Sequence, residues 1–303
     1  MKITTIGSGM IDIFIRSSDF SVRGKGRDVI LQQAFGAKIE VDECEITTGG
    51  GATNTAVGFA RHGFKVSCLI ETGKDVFAKQ IKDNLQAEGV SIEKVISEVN
   101  ERTGFSIVLV DDNGERTIMI NRGASAMLTA KDIDVDYLRT KNHLHLSSVG
   151  GKKSALSGIW KACSGDKAPT LSWNPGQAEL NLLRDGELSL PNIRGGIFIV
   201  NYEEWQMIAH LAKAIAERFF VIAVTDGKRG GQVFAAGQKP LSFSAANVKK
   251  IVDVTGAGDA FCSGLVSGIL GKQTLTQAVK MGVDNAGGVI SHLGGKKGLL
   301  YKK

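Results

Sequence analysis

The chain has 303 residues, 43% apolar and 22% charged, which allows a sizeable core and excludes a disordered composition. Its net charge of +6 is spread along the chain. The short basic runs Arg23–Arg27 and Lys296–Lys297 lack interleaved aromatics, so they read as solvated surface and point to no nucleic-acid partner.

Cys44, Cys68, Cys163 and Cys262 form no Cys-x-x-Cys pair, so neither a zinc site nor a disulfide framework is expected. The apolar stretch Ile3–Ile15 contains Asp12, lacks a cleavage site and is too short to span a bilayer. The expectation is a soluble, cytoplasmic protein with no membrane partner.

In chain order, Lys2–Ile6 reads as a buried first strand ending at Gly7. Between Ile13 and Thr47, short apolar runs at Phe14–Ile15, Val29–Leu31 and Ile39 with Val41 suggest a small antiparallel piece. Thr103–Val110 and Arg116–Asn121 flank the turn signal Asp111-Asp112-Asn113-Gly114 and predict a hairpin. Together, segments at about 13–47 and 100–122 would make one accessory sheet.

The remainder alternates strand and helix. Val66–Ile70, His143–Ser147, Thr170–Trp173, Ile197–Val200 and Phe220–Thr225 read as parallel strands. Helices are expected at about Asp75–Glu88, Ser154–Cys163 and Glu203–Ala216, with Gly258–Leu270 and Thr274–Ser291 closing the chain. This order predicts one three-layer α/β domain over 1–303, with a mostly parallel central sheet and a small β lid. Such sheets place ligands beyond the carboxyl ends of their strands.

Four segments carry chemistry. In Asp253-Val-Thr-Gly-Ala-Gly-Asp259 a helix begins at Gly256-Ala257-Gly258, where unpaired N–H groups and the helix dipole favour an anion. Asp259 in that turn is expected to be held ionised by the same field. A base beside a cradled phosphate suits phosphoryl transfer to a hydroxyl, although Asp259 could equally be a plain helix cap. The second segment, Thr48–Gly63, is a glycine loop feeding a helix, in which Asn54 reads by itself as a cap. The third, Asn201-Tyr-Glu-Glu204, could hold hydrated Mg²⁺ and a phosphate oxygen, or could simply start a helix. The fourth, Val224–Gly231, is a strand followed by a glycine turn and a hairpin.

The four in this order resemble the ribokinase/PfkB carbohydrate kinases along essentially the whole chain. Asp253–Asp259 is similar to that family's C-terminal signature and Gly49–Gly63 to its N-terminal one. Asn201-x-x-Glu204 resembles its Asn-x-x-Glu motif, and Thr225-x-Gly227-x-x-Gly230 its nucleotide-side turn. The resemblance implies an ATP- and Mg²⁺-dependent kinase for a hydroxyl of a sugar or sugar-like molecule, with a nucleoside as the alternative substrate. It implies Asp259 as base and Gly256, Ala257 and Gly258 as anion hole. Asp12, Gly50 and Asn54 would hold substrate hydroxyls, while Asn201, Thr225, Gly227 and Asn285 would lie along the nucleotide. Glu204 would organise Mg²⁺ through water, and Asp253 with Thr255 would hold a monovalent cation such as K⁺. Relatives often dimerise through the lid, which implies a homodimer here.

Departures bear on the substrate. Ribokinases carry Asn where this chain has Met10, and Lys where it has Gly51; an acidic sugar contact is replaced by Ser147-Ser148. Phe105, Ile107 and Ile118 could line the lid side of the pocket or simply pack. His143 and His145 share one strand face and read as a buried, satisfied pair. Gly7-Ser-Gly9 after the first strand hints at a dinucleotide fold, but Asp12 occupies the place of the third glycine.

Overall fold

The computed structural model describes residues 1–24, 30–110, 116–193 and 195–302. The expected turn Asp111–Gly114, Val29 and part of the Arg23–Arg27 run lie outside the described residues.

A nine-stranded sheet runs in the order β15-β14-β13-β12-β11-β10-β1-β6-β7. Its strands are β1 (Lys2–Ile6), β6 (Lys65–Thr72), β7 (Val95–Ser97), β10 (His143–Leu146), β11 (Thr170–Trp173), β12 (Gly196–Asn201), β13 (Val221–Thr225), β14 (Gly231–Ala235) and β15 (Leu241–Phe243). All neighbours pair in parallel except β13–β14 and β14–β15. The inner strands are near-continuous apolar runs because both faces are covered: in β6 every residue after Lys65 is buried.

One face packs on α1 (Gly51–Arg61), α2 (Val76–Ala87), α8 (Ala257–Leu270) and α9 (Leu275–Ile290). The other packs on α3 (Val135–Arg139), α4 (Lys153–Ala162), α5 (Gln177–Arg184), α6 (Tyr202–Ile208) and α7 (Ala212–Arg218). Gly264 and Gly268 let α9 approach α8 closely, since a Cβ on either would lie 2.5 Å from Met281 O or Ala278 Cα.

A second sheet, in the order β5-β2-β8-β9, holds β2 (Met10–Arg16), β5 (Glu43–Gly49), β8 (Phe105–Val110) and β9 (Arg116–Asn121). It is mixed rather than antiparallel throughout, because β2 and β8 run parallel. Among the described residues β3 (Ser21–Arg23) pairs only with β4 (Ile30–Gln32). Ile39 and Val41, expected in strands, lie in irregular backbone.

Two helical expectations change. The continuous helix read over Glu203–Ala216 breaks into α6, a 3₁₀ turn at Ala209–Leu211 and α7. Meanwhile α5 was not foreseen; Pro175 and Gly176 before it read as a loop, and only Glu179 and two buried leucines mark its inner face. Among the described residues no helix is long and apolar enough to cross a membrane.

Candidate active site

β5 ends at Gly49, and Gly50 caps α1 with φ 94°, a conformation that favours glycine. A Cβ on Gly50 would meet Ser8 O at 2.6 Å, and one on Gly49 would fall 1.9 Å from Asp12 Oδ2. The bare Gly49 backbone therefore makes the room that the Asp12 carboxylate occupies. Asp12 itself stands on β2, opposite Thr47 of β5 and Ser106 of β8, and accepts a 2.6 Å hydrogen bond from Ser106 Oγ.

Asn54 is not a cap. Its Nδ2 donates to Asp259 Oδ2 at 2.8 Å, while its Oδ1 is buried without a partner. Across the cleft, Gly256 caps α8 in the left-handed region with φ 74°, and a Cβ there would meet Gly295 Cα at 2.4 Å. Nothing lies within 4 Å of a Cβ built on Gly258, so the mouth of the helix is open. The amides of this first turn have no acceptor within the helix and face that opening. Of the three residues expected to form the anion hole, Ala257 differs: its N–H already donates to Val254 O at 3.2 Å.

Asp259 does not behave as its helix alone dictates. Burial pushes its carboxyl upward, the Asn54 hydrogen bond opposes this, Asp12 adds to it and Lys296 resists it. Burial likewise raises Asp12, against the Ser106 hydrogen bond and the Lys296 charge, with Asp253 adding to the rise. Burial therefore works against the helix field expected to favour the ionised form of Asp259. Two carboxylates that feel each other and share a cleft give a proton acceptor of raised basicity next to an anion cradle.

At the far edge, Asn201 and Glu204 form a reciprocal capping box: Glu204 N donates to Asn201 Oδ1 and Asn201 N to Glu204 Oε2, both at 2.8 Å. Among the described residues the second carboxylate oxygen of Glu204 has no hydrogen-bond partner, which suits one carboxylate holding a hydrated Mg²⁺. The thiol of Cys262 on α8 is raised first by burial and then by the charges of Asp259 and Glu204, so both acids bear on the same helix. Thr225 ends β13 in register with Asn201. Gly227 follows with φ 51° and open space beyond its Cα.

Asp253 is buried and accepts from Thr255 N (2.9 Å), Thr255 Oγ1 (2.7 Å) and Gly294 N (3.1 Å). Among the described residues no group of three or more His, Cys, Asp or Glu side chains is placed to hold a metal.

Asn285 is a correction. It is fully buried, its Nδ2 donating to Ala260 O and Ser263 Oγ at 3.3 Å and its Oδ1 accepting from Leu300 N at 3.0 Å. It locks α9 to α8 and to the chain end, with no group left for a nucleotide.

Sequence reasoning gave Gly49, Ser106 and Lys296 no role of their own in the site. The last is buried, not solvated: Lys296 Nζ donates to Thr48 Oγ1 at 2.7 Å and Asn84 Oδ1 at 3.1 Å. It missed Glu179 as well, whose carboxylate accepts from Val149 N, Gly151 N, Gly176 N and Ser148 Oγ and so fixes the loop after β10. Ser147 Oγ at that strand end is buried and unpartnered. It borders Gly51, whose Cβ would lie 2.9 Å from Ser147 Oγ and 3.4 Å from Asp259 Oδ1. His143 and His145 are buried as expected but only partly satisfied: His143 bonds to Thr170 and Ser172 and His145 Nδ1 to Ser172, while His145 Nε2 is buried without a partner among the described residues. A cavity of about 660 Å³ beside β13 and β14, lined by Tyr202, Trp205, Arg229 and Phe234, includes none of Asp12, Asn54 or Asp259.

The chain is similar to known proteins along nearly its whole length. The family model for pfkB family carbohydrate kinases matches residues 2–300. The chain belongs to that family. A pfkB carbohydrate kinase is a phosphotransferase acting on a sugar hydroxyl, and relatives agree. The chain is 30% identical to a fructokinase of Escherichia coli over 242 residues, 73% of this chain and 76% of the relative. It is 26% identical to a 2-dehydro-3-deoxygluconokinase of Bacillus subtilis, over 86% of this chain and 85% of the relative. In fold it is similar to a ribokinase of Cryptococcus neoformans solved with ADP: TM-score 0.77, 23% identity, covering 99% of this chain and 97% of that one.

Proposed function

We propose that this pfkB kinase transfers the γ-phosphoryl of ATP to a primary hydroxyl of a sugar or sugar acid, with Asp259 as the base. The observation that carries the reading is Asp259 in the first turn of α8, held by Asn54, coupled to Asp12 and beside the open mouth at Gly258. The acceptor sugar lies between Asp12 and Asp259, its hydroxyls donating to Asp12 and to the unpartnered Asn54 Oδ1. Asp259 takes the hydroxyl proton as the oxygen attacks, and the amides of Gly256 and Gly258 take up charge on the phosphoryl group. The Gly50 backbone borders the acceptor, while Asn201, Thr225 and Gly227 line the nucleotide. Glu204 holds Mg²⁺ through water; when bound, the ion neutralises phosphate charge. Asp253 and Thr255 are the candidates for a monovalent cation, although three protein donors already engage the Asp253 carboxylate.

The sugar reading is favoured over a nucleoside. Met10 is only 9% exposed and so offers little surface to a base, and half-buried Phe105 already packs against Phe77 with ring centroids 6.2 Å apart. We further propose that the β5-β2-β8-β9 sheet is the lid and that a homodimer forms through it in the cytoplasm. In support, Ile46, Ile118, Met119 and Ile120 are all exposed on that sheet. ADP release measured across fructose, ribose, 2-keto-3-deoxygluconate, adenosine, cytidine and inositol tests the substrate class. Acceptor-dependent release with a sugar is expected, and release with a nucleoside alone overturns the sugar reading.

A further inference from the structure

Lys296 is buried, and among the described residues its ammonium donates to neutral partners alone, Thr48 Oγ1 and Asn84 Oδ1. Removing an ammonium from water is costly, and an apolar side chain of similar volume would serve stability better. What the ammonium touches explains its presence. Thr48 immediately precedes Gly49 and Gly50, and Thr48 Oγ1 also donates to Asn84 Oδ1 at 2.8 Å, so Lys296 ties the β5–α1 corner to α2. The two residues before it close the other side of the cleft. A Cβ on Gly294 would meet Thr47 Oγ1 at 2.9 Å, and one on Gly295 would meet the Asn54 amide at 2.5 Å. Gly294 N also holds Asp253.

We propose that Lys296 is a positioning residue for phosphoryl transfer, clamping the corner that carries Gly49, Gly50 and Asn54 and placing an amine beneath the acidic cleft. The inference rests on the reading of Asp12 and Asp259 given above. The charged and titratable groups bearing on this ammonium are Asp12 on β2, Cys68 on β6, Glu88 beyond α2 and Asp259 on α8. Arg61 on α1 donates to the Lys296 carbonyl and is paired with Glu88. Burial outweighs these partners and brings the ammonium down to about 7, so its charge is present on the acid side of neutrality. That is where Asp259 must be kept from protonating. Lys296 opposes the upward drift of both Asp12 and Asp259.

The test compares wild type with Lys296→Met, Lys296→Gln and Lys296→Arg, using the acceptor sugar selected by ADP release. Lys296→Met should lose about tenfold in kcat at about pH 6 and much less at about pH 8. The acid limb of its pH profile moves to higher pH, and Lys296→Arg restores that limb. A structural role alone lowers Tm without moving the limb. Carboxyl-carbon NMR titration of substrate-free protein reads the same coupling without turnover: Asp12 and Asp259 titrate at higher pH in Lys296→Met. Should Lys296→Met fail to fold, Lys296→Gln carries the comparison. An unchanged acid limb together with unchanged carboxyl titration overturns the proposal. Asp259→Asn run in parallel separates the two readings: if it keeps turnover the base assignment fails, whatever Lys296 does.

Discussion

Asn54 Nδ2 donates a 2.8 Å hydrogen bond to Asp259 Oδ2 and joins residues 205 apart in sequence. This contact makes one cleft out of two helix N-termini. It also sets the orientation of the carboxylate and opposes the rise that burial imposes on it. Asp259→Asn should leave folding and ATP binding near wild type and lower kcat by at least about 10²-fold, the lower end for a lost general base. Asn54→Ala should lower kcat by about tenfold or more and move the acid limb to higher pH, because a hydrogen bond to the ionised form is lost. Steady-state kinetics across pH checks both, and wild-type turnover in Asp259→Asn sinks the mechanism.

Gly49 is confined by Asp12 rather than by its own dihedral angles. A methyl group there would sit 1.9 Å from Asp12 Oδ2, and the acid's own Ser106 bond holds it in place. Gly49→Ala should therefore displace Asp12 and raise KM for the acceptor sugar by about tenfold or more, with KM for ATP little changed. Equal changes in both constants would point to a general loss of folding and remove Asp12 from the acceptor site.

Much of this cleft was legible because its chemistry is local in sequence. Gly256, Gly258 and Asp259 fall in one turn, as do Gly50 and Asn54, so spacing alone assembles each half. What was not legible comes from contacts with no sequence signal. Lys296 beside Lys297 looks like a solvated run, and only packing beneath β5 buries the first and leaves the second exposed. Asn285 lies on a helix expected near the nucleotide, yet its rotation about α9 turns the amide toward Ala260 and Ser263. Asp259 shows the limit of reasoning from one element, because the dipole of α8 is local while the burial that opposes it is tertiary. In the fold, α5 was missed because its inner face carries only Leu180, Leu183 and the buried acid Glu179.

Glu204 combines two tasks through two oxygens. Oε2 accepts from Asn201 N, and the carbonyl oxygen of a glutamine could keep that bond. Glu204→Gln should thus preserve the capping box but weaken Mg²⁺ binding, because the ion loses its anionic partner. The expected result is a Mg²⁺ requirement raised by about tenfold at saturating ATP, with Tm within about 1 °C of wild type. Metal titration of initial rates measures it, and an unchanged Mg²⁺ curve removes Glu204 from the metal site.

The stability of the fold should be limited on both sides of neutrality by buried groups outside the cleft. Glu71, 1% exposed and with neither oxygen hydrogen-bonded, has its carboxyl pushed up to about 8 by burial first and then by Asp132 and Glu98, against Lys131. A raised carboxyl contributes stability in full below its ordinary value of 4.5, and that contribution is lost as pH rises through about 8. His143 and His145 act in the opposite sense, since burial pushes both down to about 3. Their contribution is complete above 6.5 and is lost as pH falls toward about 3. Glu71→Gln removes only the alkaline term. Thermal unfolding should show wild type and variant alike near pH 4, below the ordinary carboxyl value, with the variant melting about 2 °C or more higher near pH 9. Parallel Tm curves through pH 9 would mean that Glu71 stays ionised in the fold, and the alkaline half of the prediction would fall.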